Sequence, residues 1–333
     1  MKTVSPGSLI VSLDFELGWG LSNPSRVKEY EENLRGTRDA IPKILEIFSS
    51  FDIHATWATV GFLFVRDKAE LLSSLPSQRP QYLNPSVNAY SLLEGLKDNE
   101  EQDPLRFGYS LINLIRSVKG QEIGTHTFSH FCCLEHGQTI ENFMADMKVA
   151  LQIAKQHDIK VESLVFPKNQ INSDYLPLLK ELSIKVYRGH SKQWFYMPSA
   201  RDGVFKRACR LMDSYIPLSK NQAYLEVETQ AGLMNLRASR FLRPYRERLK
   251  MIEFLKVNRI KRELTYAARR GFVYHLWWHP HNFGKNLKQN LKNLQTIAEC
   301  YAALRQKYRM NSLSMSEYYN SRIQKNINES SSG

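Results

Sequence analysis

The chain has 333 residues, 42% of them apolar, which suits a full core and argues against disorder throughout. No run approaches the roughly 18 uncharged apolar residues of a membrane span. The net charge of +13 is unevenly spread, since residues 201–270 hold 17 Lys or Arg against 7 Asp or Glu. A local basic block suits a phosphate-bearing partner or an anionic membrane surface, or is simply a solvated helix face. A pI near 9.5 raises the question of nucleic acid, but no stacking motif or known module accompanies the charge, so none is expected.

Met1–Ser8 has one lysine and no apolar stretch, so no secretory signal is expected and the implied location is cytoplasmic. Cys132 and Cys133 are adjacent, while Cys209 and Cys300 are isolated. That spacing gives neither a disulfide framework nor a CxxC zinc pair, and core packing is their expected fate.

Alternation makes Ser8–Asp14 a strand, with Leu9, Val11 and Leu13 on one side and Ile10, Ser12 and Asp14 on the other. If the extended form persists, Glu16 joins the face of Asp14. Gly18 and Gly20 then break the run. Residues 38–51 have helical spacing, with Pro42 read into the first turn, and 53–60 form a second strand. Residues 73–107 are proline-rich and poorly periodic, an insertion of the kind that often forms lids or substrate walls, with a short helix near Ala89–Leu96. A helix follows at 109–118, then a strand ending Gln121-Glu122-Ile123-Gly124, a helix at 139–157, a strand at 162–166, a helix at 176–182 and a strand at 184–187. Residues 191–242 give few signals. Residues 246–270 read as a long basic helix, 272–278 as a last strand and 286–308 as a last helix. The polar tail 326–333 is expected to be disordered. Such alternation means a parallel sheet with helices outside, in a single domain over 1–325 with insertions at 73–107 and 191–270.

The most informative stretch is Gly124-Thr125-His126-Thr127-Phe128-Ser129-His130. Two histidines four apart share one side of a helical turn and can bind one metal ion. In a parallel barrel the C-terminal strand ends meet at one rim. Here those ends carry Asp14 and Glu16, His126 and His130, and His279. One carboxylate with two imidazoles leaves a coordination position open, as in a catalytic metal site. The ion would acidify water and polarise a carbonyl, a second carboxylate could take a proton, and a histidine could protonate a leaving amine. Amide hydrolysis needs that set.

The chain resembles the NodB-type polysaccharide deacetylases, a carbohydrate esterase family. Residues 121–130 are very close to that family's second motif, which supplies two metal histidines and a serine or threonine that shapes the loop. Ala55-Thr56-Trp57-Ala58-Thr59-Val60-Gly61 resembles the strand before it. Leu13-Asp14-Phe15-Glu16 sits where the family has paired aspartates, and Trp277-Trp278-His279 resembles its closing motif. The resemblance covers most of 8–190 and then 271–310. It is similar to the subgroup found in surface-polysaccharide synthesis.

The resemblance implies a distorted seven-stranded parallel (β/α) barrel, and a metal-dependent hydrolase removing an N-acyl group, most simply acetyl, from a sugar. Asp14, His126 and His130 are the expected metal ligands, Glu16 the base or a supporting group, and His279 the catalytic acid, with His281 as its competitor. Zinc is the expected ion, and cobalt, nickel or iron suit the same donors. The family's arginine before a proline is replaced by Val165-Phe166-Pro167-Lys168-Asn169-Gln170, where Lys168 could orient a carboxylate and Asn169 could contact substrate. Trp277 and Trp278 suit core or a sugar-stacking wall. Trp278 and His281 join Lys168 and Asn169 as candidate substrate contacts. The expected substrate is a nucleotide- or lipid-linked sugar, whose phosphates suit the basic block. A deformylase or small-amide hydrolase on the same scaffold, and a scaffold protein with a degenerate site, are the alternatives.

Overall fold

The computed structural model describes residues 5–198 and 203–330, with side chains as far as Gln324. Its strands are β1 (Ser8–Phe15), β2 (Ala55–Thr59), β3 (Gln121–Thr125), β4 (Ser163–Val165), β5 (Val186–Gly189), β6 (Glu228–Gln230), β7 (Leu233–Arg237), β8 (Arg240–Phe241), β9 (Val273–Trp278) and β10 (Asn311–Leu313). They lie in the order β6-β7-β5-β4-β3-β2-β1-β9-β8, with β10 beside the first half of β1. All pairs are parallel except the β6–β7 hairpin.

Among the described residues ten strands stand where seven were expected, and the surplus has a local cause. β6 only folds back on β7, and β10 fills the edge of β1 that β2 leaves free. β7 and β8 are one stretch interrupted at Ala238-Ser239. Its first part pairs with β5 and its second with β9, and between them Ala238 donates to Gly189 O and Ser239 to His275 O. That kinked stave closes the sheet into a distorted barrel.

Helices cover the outside. Leu9, Val11, Leu13 and Phe15 face the main core between sheet and helices, whereas Ile10 joins Val165, Val186, Met234, Leu236 and Val273 in a small inner core. β1 is buried on both sides, as a covered parallel strand must be. Above Ile10 the barrel axis turns polar. Ser12 bonds His275 (2.8 Å), and Arg188 donates to Ser12 Oγ and to Asp14.

Several expected boundaries move. The first long helix begins at Glu31 and not near Arg38, so Pro42 lies inside it. The insertion contains 3-10 turns at Pro85–Val87 and Ala89–Leu93. It clamps the histidine loop from outside, with Tyr82 Oη accepting from Cys132 N (2.9 Å). The weakly signalled 191–242 region holds a helix, Val204–Tyr215, besides β6 to β8. The basic helix starts at Glu253, after a 3-10 turn at Glu247–Leu249. The tail expected to be disordered from Asn326 is helical as far as Ser330, in Met315–Ser330, and residues 331–333 lie outside the described ones.

Candidate active site

The rim where β1, β3 and β9 end gathers the ionisable groups. Asp14 lies in β1 and Glu16 just past its end, where the backbone has left the extended form (φ −122°, ψ −28°), and both carboxylates come near His279 Nε2. Space for the Glu16 carboxylate depends on Gly20, where a Cβ would lie 1.8 Å from Glu16 Oε2. Glu16 Oε1 lies 3.1 Å from His126 Nε2, 3.3 Å from His130 Nε2 and 3.5 Å from His279 Nε2.

The two motif histidines meet through a loop and not through the expected helical turn. Thr127 and His130 have left-handed backbones, at φ 61° and 55°. The loop's amides find other acceptors: Phe131 N–H donates to Thr127 Oγ1, and Phe128 and Ser129 N–H donate to Asp146 from the helix Ile140–Gln156. The Ser129 hydroxyl also donates to Asp146. On the facing loop, Lys168 and Asn169 are left-handed too. Strained backbone of this kind concentrates where side chains must be held in one geometry.

Tautomers follow from the hydrogen bonds. His126 Nδ1 lies 2.7 Å from Val165 O, which can only accept, so the proton sits on Nδ1 and the Nε2 lone pair points at Glu16. A neutral His126 therefore has no proton to offer Glu16. A cation among these three buried groups resolves that mismatch. Among the described residues, Glu16, His126 and His130 place one donor atom each within 4.8 Å of one another. Two imidazoles and a carboxylate, with His126 fixed by a carbonyl behind it, are donors that suit a divalent metal.

Asp14 is elsewhere engaged. Arg188 from β5 grips it with two bonds, Nη1 to Oδ1 (2.6 Å) and Nη2 to Oδ2 (2.8 Å). Arg188 is itself held by Asn169 Oδ1 (3.0 Å) and lies 4.1 Å over the Trp277 ring. Burial works to raise the Asp14 pKa, but the guanidinium outweighs it and holds the carboxyl below its ordinary value. Burial likewise opposes ionisation of Glu16, yet His279 and His130 beside it leave its pKa well below the usual range. His279 is pulled down by burial and pushed up by Glu16 and Asp14, with a raised pKa as the outcome. His281 is buried with its rings 4.9 Å from those of His279, and burial lowers its pKa to about 4. Below them His275 is brought down to about 3 by burial and by Arg188.

A cavity of about 740 Å³ opens beside this cluster. Asn169, Phe241, Trp277, Arg207, Arg243 and Arg246 are among its lining, and Phe241 and Trp277 pack on His279 at 5.9 and 5.8 Å between ring centroids, while the rim's acids and histidines are not part of that lining. None of its lining comes from the 73–107 insertion.

No protein-family model matches the sequence, and no curated protein matches it. Solved structures do resemble it. A Mycobacterium smegmatis protein assigned as a polysaccharide deacetylase aligns over 96% of this chain and 92% of its own, with a TM-score of 0.59 and 13% identity. A Pseudomonas aeruginosa PAO1 protein assigned likewise covers 94% and 89%, with a TM-score of 0.53 and 10% identity. The 4-alpha-glucanotransferase of Thermococcus litoralis aligns over 95% of this chain and 40% of its own, with a TM-score of 0.55 and 14% identity. The PuuE allantoinase covers 94% and 88%, with a TM-score of 0.51 and 13% identity. At such identities the likeness establishes the fold, a distorted barrel shared with polysaccharide deacetylases, and the chemistry must come from the site.

Against the sequence reading, the rim unites five expected residues: Asp14, Glu16, His126, His130 and His279. Among the described residues two groups of donors lie within 4.8 Å, Glu16 with His126 and His130, and Asp14 with Glu16 and His279, so Glu16 belongs to both and Asp14 to the second. Lys168 is exposed and does not hold a carboxylate; Arg188 does so instead. Asn169 lines the cavity but contacts Arg188. Trp278 is fully buried against Phe48 and Phe283, so the cavity wall is Trp277, one pleat along. Cys132 and Cys133 are buried and free. Sequence reasoning missed Arg188, although a lone arginine between Tyr187 and Gly189 in a buried strand signals a hidden partner.

Proposed function

We propose that the protein is a metal-dependent hydrolase removing an N-acyl group, most simply acetyl, from a phosphate-bearing sugar. The observation that carries this reading is the convergence of His126, His130 and Glu16, with a second carboxylate, Asp14, held ionised beside them. Glu16, His126 and His130 would hold the cation, with zinc expected from the donor types. Such an ion supplies Lewis acidity, polarising a carbonyl and making water more acidic.

The chain's own groups then divide the proton work. Asp14, oriented by Arg188 and kept charged by it, accepts the proton of the attacking water. His279, 3.5 Å from Glu16 and 3.7 Å from Asp14, is kept protonated by those carboxylates and donates to the departing nitrogen. Trp277 and Phe241 offer flat apolar walls for a sugar ring, and Arg207, Arg243 and Arg246 offer charge for phosphate.

The geometry disfavours sugar transfer of the paired-carboxylate kind. That chemistry needs one carboxyl protonated and one free. Here Asp14 is bound to a guanidinium and Glu16 faces three imidazoles. A small-amide or formyl substrate remains the second reading, favoured by the same catalytic groups but not by the size of the cavity. The intact donor set also counts against a degenerate scaffold. A screen of N-acetylated nucleotide sugars and lipid-linked sugars for acetate release, with metal analysis, tests the proposal. Acetate release lost in His126→Ala is the expected result; absence of both bound metal and release from any amide refutes it.

A further inference from the structure

The outer wall of the cavity carries an apolar surface that hydrolysis does not use. The helix Val204–Tyr215 buries only Asp213, Ser214 and Tyr215. In its first turn Val204 is 73% and Phe205 71% exposed. Phe205 stacks on Trp194, itself 53% exposed, with ring centroids 6.0 Å apart. Tyr215 donates to Glu253, which ties this helix to a second projection where Met251 is 80% and Phe254 57% exposed. Phe205 and Trp194, in contact with each other, form a contiguous apolar patch and not single scattered side chains, the kind of surface that marks an interaction site.

The charge around them narrows the partner. Three cations of the basic block are neutralised inside the protein: Arg240 and Arg259 pair with Asp213 and Glu263, and Lys256 with Glu253. Arg207 and Arg246 remain exposed and pair with no acid among the described residues, and both border the cavity. Aromatic and aliphatic tips flanked by uncompensated arginines are the make-up of a surface that rests in the headgroup boundary of an anionic bilayer. A second copy would meet like charge, and a nucleic acid would leave the aliphatic tips in water.

We propose that the face formed by Trp194, Phe205, Met251 and Phe254, bordered by Arg207 and Arg246, docks on anionic membranes. Val204 and Arg207 line both this face and the cavity, so docking sets the cavity mouth on the lipid surface. The substrate class that follows is a sugar carried on a lipid phosphate, and this last step rests on the hydrolase reading given above.

The test uses the full chain in co-sedimentation with phosphatidylcholine vesicles, with or without phosphatidylglycerol, at low and high salt. Phe205→Asp/Met251→Asp is compared with Phe205→Leu, and circular dichroism confirms that both are folded. The wild type and Phe205→Leu should partition preferentially to the anionic vesicles and release at high salt. The double variant should lose at least about tenfold in partitioning, since its apolar tips can no longer enter the boundary. Its turnover of a water-soluble N-acetylated sugar phosphate should match the wild type. Equal partitioning to neutral and anionic vesicles, or undiminished binding by the double variant, overturns the docking surface. If soluble turnover persists in that case, the hydrolase reading stands alone; vesicle binding without any turnover leaves the docking surface standing and removes the hydrolase.

Discussion

The two sides of the rim handle negative charge with different chemistry. On the β3 side, Glu16 faces His126 and His130, groups that can shed protons and offer lone pairs. On the β5 side, Asp14 faces Arg188, a cation that never deprotonates and never ligates a metal. Two carboxylates, one in β1 and one just past its end, thereby have different partners. On the proposed reading one serves a cation and the other is the charged base.

The largest expected effect tests the imidazole side. His126→Ala should abolish tight metal binding and reduce acetate release to background, both read on the same preparation by metal analysis and an acetate assay. Asp14→Asn separates the sides: turnover should fall by about 10²–10⁴-fold while metal content is retained. Loss of the metal in that variant would show that Asp14, not Glu16, is the ligand. Arg188→Met leaves the Asp14 carboxylate buried without its partner, at a cost of about 3–5 kcal/mol in unfolding free energy. Denaturant titration measures it, and adding Asp14→Asn to Arg188→Met should restore much of the loss. Gly20→Ala touches no ligand, yet its Cβ displaces the Glu16 carboxylate; metal affinity should drop by about 10–100-fold in a competition titration.

The smallest effect lies at the other end of the barrel, where His54 Nδ1 is 2.7 Å from Glu317. The Glu317 hydrogen bond raises the His54 pKa, against a lowering by burial. The folded state therefore holds that proton to higher pH than the unfolded chain does. Its contribution is complete below the ordinary histidine range and disappears as pH rises through the raised value. With His54 18% and Glu317 39% exposed, the pair is worth less than about 1 kcal/mol. Melting curves on either side of that range should show the wild type losing its small advantage over Glu317→Gln as pH rises.

How much of this was readable beforehand follows from what each feature depends on. Strand phase is local, so the split between Leu9, Val11 and Leu13 outside and Ile10, Ser12 and Asp14 inside followed from alternation. The spacing of His126 and His130 is local too, and the strand ends alone put them at one rim with Asp14, Glu16 and His279. The difference between the surroundings of Asp14 and Glu16 is not local, because Asp14 is gripped by Arg188, an isolated residue on β5 some 170 positions away in sequence. Trp277 against Trp278 was a question of which side of β9 faces the cavity, and one pleat reversed the answer. The charge of 201–270 could be counted, but not which arginines meet Asp213 and Glu263 indoors and which stay outside.

The kink at Ala238-Ser239 has an evolutionary consequence. The stave it interrupts both seals the barrel and supplies Ser239, Arg240 and Phe241 to the cavity wall, while none of the clustered groups Asp14, Glu16, His126, His130 and His279 belongs to it. Loop exchange along that seam can therefore retune which molecule is admitted while the reacting apparatus is inherited unchanged.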